Sequence, residues 1–179
     1  SLVFSESPTN PYLRVVDVPR GAELCHSRGA LAVIDSTFAT SVNQQALSLG
    51  ADLVLHSATK YLGGHNDVLG GALVGRRDLI KTIRDLHGVL GGVIDPHAAY
   101  LILRGVKTLA LRVERANHNA EAIARYLEQH RRIERVHYPG LESHRDHDVA
   151  RRQMTGFGGV VSFEVRGTLE TASKFIDAL

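Results

Sequence analysis

Short apolar runs alternate with helical spacings along the first eighty residues. Leu2–Phe4, Leu31–Ile34, Leu53–Leu55 and Ala72–Val74 are aliphatic or branched and bounded by turn residues, the pattern of buried strands. Between the first two, the stretch from Pro19 to about Ser27 predicts a helix. It has proline in its first turn and Gly29 at the left-handed position past its end. A shorter helix is predicted at Gln44–Leu49, ended by Gly50. This alternation predicts a mainly parallel sheet covered by helices, an α/β fold. The direction of Ala72–Val74 stays open, because a Gly-rich loop without a clear helix leads into it.

After Val74 the pattern turns helical. Leu79, Ile80, Ile83, Leu86 and Leu90 repeat at helical spacing, and Leu109, Val113, Ala116, Ala120, Ile123, Ala124 and Leu127 predict a helix from Leu109 to about Gln129. Ile133–Tyr138 and Gly159–Val165 read as strands, the second alternating Val161, Phe163 and Val165 with Ser162, Glu164 and Arg166. A second, smaller α+β domain is therefore expected to begin along the long helix. Thr168 opens one more helical pattern, with Leu169, Ala172, Ile176 and Leu179 on one side. The chain starts directly on a strand and stops inside that apolar face, so it is expected to be the middle of a longer protein.

Composition narrows the classes. The 179 residues are 44% hydrophobic and 22% charged, which excludes a disordered chain. No apolar run reaches membrane-spanning length, and no signal-peptide pattern is seen. The single Cys25 cannot form an internal disulfide, so a reducing compartment is the default, and its place beside Leu24 on a helix pattern predicts a core residue. A formal charge of +2 is too small to argue for nucleic acid. The Arg-rich run from Arg131 to Arg152 is interleaved with Glu134, Glu142, Asp146 and Asp148, and aromatics are scarce there. His144-Arg145-Asp146-His147 offers two imidazoles without a third ligand of clear spacing, so a solvated surface is expected and no metal site. Of 21 cations, 17 are arginines. The four lysines, Lys60, Lys81, Lys107 and Lys174, can be weighed singly.

In an open α/β sheet, ligands bind beyond the carboxyl ends of the strands. Here those ends carry Glu6-Ser7-Pro8-Thr9-Asn10-Pro11, then Asp35-Ser36-Thr37, then His56-Ser57-Ala58-Thr59-Lys60 and the Gly-rich continuation to Gly71. Lys60 has small apolar neighbours and no carboxylate within four residues. An amine held near an apolar wall becomes a usable nucleophile or base. Asp35 reads equally as a turn cap or as the partner of a buried cation. Ser57 and Thr59 read as ligands for one oxyanion or as turn residues bonding their own backbone. The glycine pairs allow close backbone approach to a ligand, yet no Lys-Ser/Thr follows to make a phosphate P-loop. Gly156-Phe157-Gly158-Gly159 precedes a strand, so it is no dinucleotide fingerprint. Tyr61 and His65 are expected to support the site by packing.

Asp35, the block Ser57-Ala58-Thr59-Lys60-Tyr61-Leu62-Gly63-Gly64-His65-Asn66-Asp67-Val68-Leu69-Gly70-Gly71 and Glu6–Pro11 together closely resemble the Cys/Met-metabolism family of pyridoxal-phosphate enzymes. Leu103–Leu109 and Gln153–Gly159 resemble it too, and the combination of Asn66-Asp67, the Gln153–Gly159 stretch and Phe163-Glu164-Val165 looks most like the plant-type γ-synthase branch. The resemblance implies the aspartate aminotransferase-like fold (type I), with residues 1–108 in the large cofactor-binding domain and 109–179 opening the C-terminal one. It implies pyridoxal 5′-phosphate held covalently by Lys60, which also moves protons, with Asp35 on the pyridine nitrogen, Ser57 and Thr59 on the phosphate, and Asn10 near the phenolic oxygen. The implied reaction joins an O-activated homoserine to cysteine, giving cystathionine in methionine biosynthesis; γ-elimination by a lyase is the alternative. A homotetramer acting on amino acids, with no nucleic acid or membrane partner, is implied, in the cytoplasm or, for a plant or alga, the plastid stroma. The family's ring-stacking aromatic, upstream phosphate contacts and carboxylate-clamping arginine would lie outside 1–179, so this stretch alone is expected to be inactive. A non-catalytic α/β binding or scaffold protein, with Lys60 incidental, is the rival from another class.

Overall fold

The computed structural model describes residues 1–178, so Leu179, expected on the apolar side of the last helix, lies outside the described residues. Four strands, β1 (Leu2–Glu6), β2 (Leu31–Asp35), β3 (Leu53–Ser57) and β4 (Gly71–Gly75), form one sheet in the order β1-β2-β3-β4. The first three run parallel, and β4 is antiparallel to β3, with Ser57 opposite Gly71. Glu6, Asp35 and Ser57 therefore stand side by side at one edge, Glu6 directly opposite Asp35. The apolar runs of β2 and β3 explain why these strands are central: Ala32, Val33, Ile34, Leu53 and Val54 are all buried.

Helix α1 (Val18–Ser27) crosses from β1 to β2. Its N-cap Asp17 accepts the Arg20 N–H, Pro19 sits in the first turn, and Gly29 takes φ +65° past the end. Cys25 is buried, in a cluster with Ala22, Ala30 and Ala32. The helix expected at Gln44–Leu49 is not there. α2 occupies Thr40–Asn43 instead, and Gln44 is extended (φ −145°, ψ 124°). Residues 46–50 are successive turns whose apolar side chains mimic helical spacing: Ala46 is buried with Val18, Ile34, Ala51 and Val54, and Leu49 packs against that cluster.

Three further helices follow β4: α3 (Arg77–Leu90), α4 (Pro96–Val106) and α5 (Leu109–Glu128). α4 was not anticipated as a separate element. Its signal is Asp95-Pro96, where the Asp95 carboxylate caps the N–H groups of His97 and Ala98. The 20-residue α5 touches both parts of the molecule. Near its middle Asn117 pairs reciprocally with Asn43 of α2 through their amides (2.9 and 2.8 Å). Farther along, Ala120 and Ala124 pack with Val136, Tyr138 and Leu141 under the second sheet. That sheet is β5 (Ile133–His137) antiparallel to β6 (Ser162–Val165). β6 is shorter than the predicted Gly159–Val165. Upstream of it, Gly156 lies against the asparagine pair, where a Cβ would meet Asn117 Nδ2 and fall 2.6 Å from Asn43 Oδ1.

The Arg/His-rich connection corrects the sequence reading most. It contains a helix, α6 (His147–Gln153), and is solvated only in part: Arg145, Asp148, Arg151 and Arg152 are exposed, while His144 and Ala150 are buried. His144 is 6% exposed, and Asp146 accepts both the Arg14 guanidinium (Nε to Oδ2 2.6 Å, Nη2 to Oδ1 3.1 Å) and the Val15 N–H (3.0 Å). Gln153 accepts from Val18 N–H and donates to Val16 O. Residues 144–153 thus strap the segment between β1 and α1 onto α6. α7 (Leu169–Ile176) begins at the predicted Thr168. Among the described residues no helix is long and apolar enough to cross a membrane, and no group of three or more His, Cys, Asp or Glu side chains could hold a metal ion.

Candidate active site

The carboxyl edge of the parallel strands gathers four of the five predicted site residues on consecutive strand ends and the turn beyond them. Asp35 ends β2 and is half-buried. Its Oδ1 accepts twice from Thr37, from the backbone N–H (2.9 Å) and the hydroxyl (2.6 Å). Thr37 Oγ1 in turn accepts the Ser57 N–H (2.8 Å). A relay therefore runs from the end of β3 through Thr37 to Asp35, and among the described residues no hydrogen bond engages Oδ2. Thr37 was passed over in the sequence; its signal is the Asp-x-Thr spacing, which closes such a turn.

Ser57 leads into a π-helical turn, Ala58–Leu62, in which Lys60 departs from helical geometry (φ −87°, ψ −113°). Ala58 points into the core, fully buried, while Lys60 is exposed. The small neighbours of Lys60 thus serve the packing beneath it and do not form a wall around the amine. Two N–H groups close the turn on itself, Gly63 onto Ala58 O and Gly64 onto Lys60 O, both at 2.7 Å. Thr59 is tied to the start of β4: its N–H donates to Gly70 O (3.2 Å) and its hydroxyl accepts the Gly70 N–H (3.0 Å). Asn10 is exposed on the adjoining loop, which Ser7 N–H joins to Asp35 O (3.0 Å).

The glycines around this turn meet protein. A Cβ on Gly63 would lie 2.8 Å from Val68 Cγ1, one on Gly70 2.8 Å from Ile102 Cδ1, and one on Gly105 of α4 2.1 Å from Gly63 O. Tyr61 is half-buried, burial pushes its hydroxyl above the ordinary tyrosine range, and a Cβ on Gly159 would fall 2.9 Å from that oxygen. His65 is exposed and bonds Gly63 O through Nδ1 (2.8 Å). Burial holds the His56 imidazole below its ordinary value despite the opposing pull of Asp35. Burial, and then the charge of Asp35, raise the Glu6 carboxyl.

The sequence profile of the family described as "Cys/Met metabolism PLP-dependent enzyme" matches residues 1–179. The chain belongs to that family. Pyridoxal phosphate is the cofactor on which these enzymes depend. Over its whole length the chain is 60% identical to cystathionine gamma-synthase 1, chloroplastic, of Arabidopsis thaliana, covering 32% of that protein. It is 45% identical to a cystathionine gamma-lyase of Dictyostelium discoideum over 98% of this chain and 46% of the relative. The crystal structure of cystathionine gamma synthase from Xanthomonas oryzae pv. oryzae in complex with aminoacrylate and cysteine superposes with a TM-score of 0.97 at 42% identity. It is matched over 99% of this chain and 46% of that one. The α/β fold expected from the sequence is thus the fold of these enzymes. The chain spans between a third and a half of its relatives' lengths.

Proposed function

We propose that the protein containing this chain is a pyridoxal-phosphate-dependent trans-sulfuration enzyme that joins an O-activated homoserine to cysteine, giving cystathionine for methionine biosynthesis. The observation that carries the proposal is the carboxyl edge itself, where Asp35 has one oxygen without a hydrogen bond among the described residues and an exposed amine follows the neighbouring strand, in a chain 60% identical to a plant γ-synthase. The donor set fits the cofactor: an acid oriented through Thr37, an amine with no acid partner among the described residues, and two hydroxyls flanking Ala58. Bound there, pyridoxal phosphate would take up the electron pair left when a proton departs from substrate Cα.

Lys60 would hold the cofactor and, once released from it, remove the proton at Cα and then one at Cβ. Asp35 Oδ2 would accept the pyridine N–H and keep that nitrogen protonated. Thr37 supports this role, because its two donations hold the carboxylate in one orientation. Ser57 and Thr59 would donate to the phosphate, and Asn10 would meet the phenolic oxygen. Cysteine thiol then adds at Cγ in place of the departing activated group, and return of the protons completes the replacement. γ-Elimination uses the same groups with water as second reactant; the 45% identical lyase supports it less.

The reading includes the division into a cofactor domain, 1–108, and the opening of a second domain from 109. It also includes a homotetramer in the cytoplasm, or in the stroma of a plastid. Leu86, Val89, Leu90, Val93 and Leu103, all left exposed on or beside α3 and α4, are what subunit contacts or the remaining chain would cover. The test is the full-length protein with pyridoxal phosphate, given O-phosphohomoserine or O-succinylhomoserine and cysteine. Cystathionine is expected. Release of 2-oxobutyrate from cystathionine without added thiol, and no synthesis, would turn the assignment to a lyase. A colourless protein at saturating cofactor would end the enzyme reading.

A further inference from the structure

Arg112, on the first turns of α5, reaches back across the fold to the turn that carries Lys60. Its Nη1 donates to Tyr61 O (2.8 Å), its Nη2 to Gly105 O of α4 (2.8 Å), and its Nε to Thr108 Oγ1 (3.1 Å). The guanidinium also lies on Gly64, where a Cβ would fall 2.2 Å from Nη1 and 2.3 Å from Cζ. Gly64 is the residue whose N–H closes the turn on Lys60 O. One side chain therefore grips the carbonyl of the residue after Lys60 and covers the glycine that seals the turn.

We infer that Arg112 is a positioning residue for Lys60, locking the lysine-bearing turn onto α4 and α5. The inference rests on the proposed role of Lys60. Upstream the turn is fastened by Thr59 to Gly70, and internally by Gly63 and Gly64. Downstream, the Tyr61 carbonyl is held by Arg112. Lys60 itself has non-helical backbone geometry, so the direction of its Cα–Cβ bond depends on these fastenings and not on a helical ladder. The amine ends a flexible four-carbon stem, and proton transfer tolerates misplacement of only about 0.5 Å. A small rotation at the backbone exceeds that at the nitrogen. Arginine suits the task because a planar, permanently charged fork can serve three acceptors at once, which an ammonium cannot do in the same geometry. Gly105 completes the device, since its missing Cβ lets α4 close on Gly63 O.

The test uses the full-length holoenzyme with Arg112→Gln, Arg112→Lys and Arg112→Ala, and Arg125→Gln as a control arginine from the same helix, paired to Glu121. Wild type and all variants are treated with borohydride, and the modified residue is located by peptide mapping. If wild type is not fixed at Lys60, the reading of Lys60 itself fails, whatever the Arg112 variants do. If it is, the Arg112 variants are expected to retain fixation, lose visible circular dichroism of the bound cofactor and drop in kcat roughly 100-fold. KM is expected to stay within about three-fold. Added guanidinium should restore part of the kcat of Arg112→Ala, and Arg125→Gln should match wild type. Should the Arg112 variants not fold, Thr108→Val removes the Nε acceptor, together with the hydroxyl's own donation to Gly105 O (3.3 Å), and is expected to lower kcat and the visible signal in the same direction by a smaller factor. The inference is overturned by unchanged kcat and unchanged visible circular dichroism in folded Arg112→Gln or Thr108→Val. It is equally overturned by losses that follow the folded fraction alone and that guanidinium does not rescue.

Discussion

Asp35 and Asp146 are both short acids at the end of an element, each near a buried histidine, and they are arranged to opposite ends. Asp146 is saturated: its two oxygens take three donors from Arg14 and Val15. Burial alone would raise its carboxyl, but the hydrogen bonds of Arg14 and of the Val15 N–H and the Arg14 charge together bring it below the ordinary value. Asp35 gives one oxygen to Thr37, and among the described residues the other takes no hydrogen bond. The adjacent acid, Glu6, is raised and not lowered. An acid with all its partners holds chains together. An acid oriented through one oxygen and left open at the other is available to a ligand.

The largest effects should fall on the open side. In the full-length enzyme Lys60→Ala is expected to abolish both turnover and borohydride fixation of the cofactor. Asp35→Asn keeps the Thr37 donors satisfied through its amide oxygen, so the protein should fold and still bind cofactor covalently. Its kcat should fall by several orders of magnitude, because an amide cannot hold a pyridine nitrogen protonated. Equal turnover in Asp35→Asn would remove the distinction between the two aspartates.

The saturated side should answer the reverse way. Asp146→Ala leaves the Val15 N–H without its acceptor and frees Arg14 from α6. The Arg14 side chain is 43% exposed, so water recovers much of its charge, and the cost is set mainly by the orphaned N–H and the lost packing of the strap. A loss of about 2 kcal/mol is expected from urea midpoints. kcat measured where both proteins are folded should change little. A collapse in kcat without a matching loss of stability would mean that the strap governs the neighbouring Asn10 loop, and the comparison would have to be redrawn.

The two sides also differ in how far they could be read from the chain. β1 to β4 were legible as unbroken apolar runs, although only β2 and β3 are buried as expected while Leu2, Val3, Phe4 and Val74 are exposed on the outer strands, and α1 was legible because Pro19 and Gly29 mark its ends. Lys60 and Asp35 were legible by position, each standing where an apolar run stops. The strap was not, since Arg14 and Asp146 are 132 residues apart and a mixed run of charges looks alike whether solvated or clamped. Arg112 was invisible for a related reason: two of its acceptors are backbone carbonyls, which every residue carries. α2 was misplaced because Ala46 and Leu49, on turns, pack into the core three residues apart, a spacing that a helix would also give. Local pattern reports burial and periodicity. It does not report which distant group a polar side chain meets.

The smallest effect is a pH dependence that both sides share. His56 behind Asp35 and His144 beside Asp146 are each 6% exposed, and burial lowers both below the ordinary 6.5. The folded state keeps these imidazoles neutral, while the unfolded chain takes up protons once the pH falls through 6.5. Protons therefore favour the unfolded state, and stability is lost on acidification below that value. Each imidazole contributes at most about 1.4 kcal/mol per pH unit. Asp146 adds nothing in this range, because its lowered carboxyl contributes stability at every pH above 3.8 and loses it only below. Glu6 works the other way: its raised carboxyl binds a proton more readily when folded, which offsets part of the loss as the pH approaches 4.5. Urea midpoints of the full-length protein between about pH 7.5 and 5 should fall with acid, and His144→Asn should flatten about half of that slope. The neighbours of His144 press in both directions, Asp146 and the Tyr12 carbonyl upward, His137 and Arg14 downward, with burial the largest influence. An unchanged slope in His144→Asn would show that the imidazole on the saturated side is already free to charge, and that only the one behind Asp35 is kept neutral by the fold.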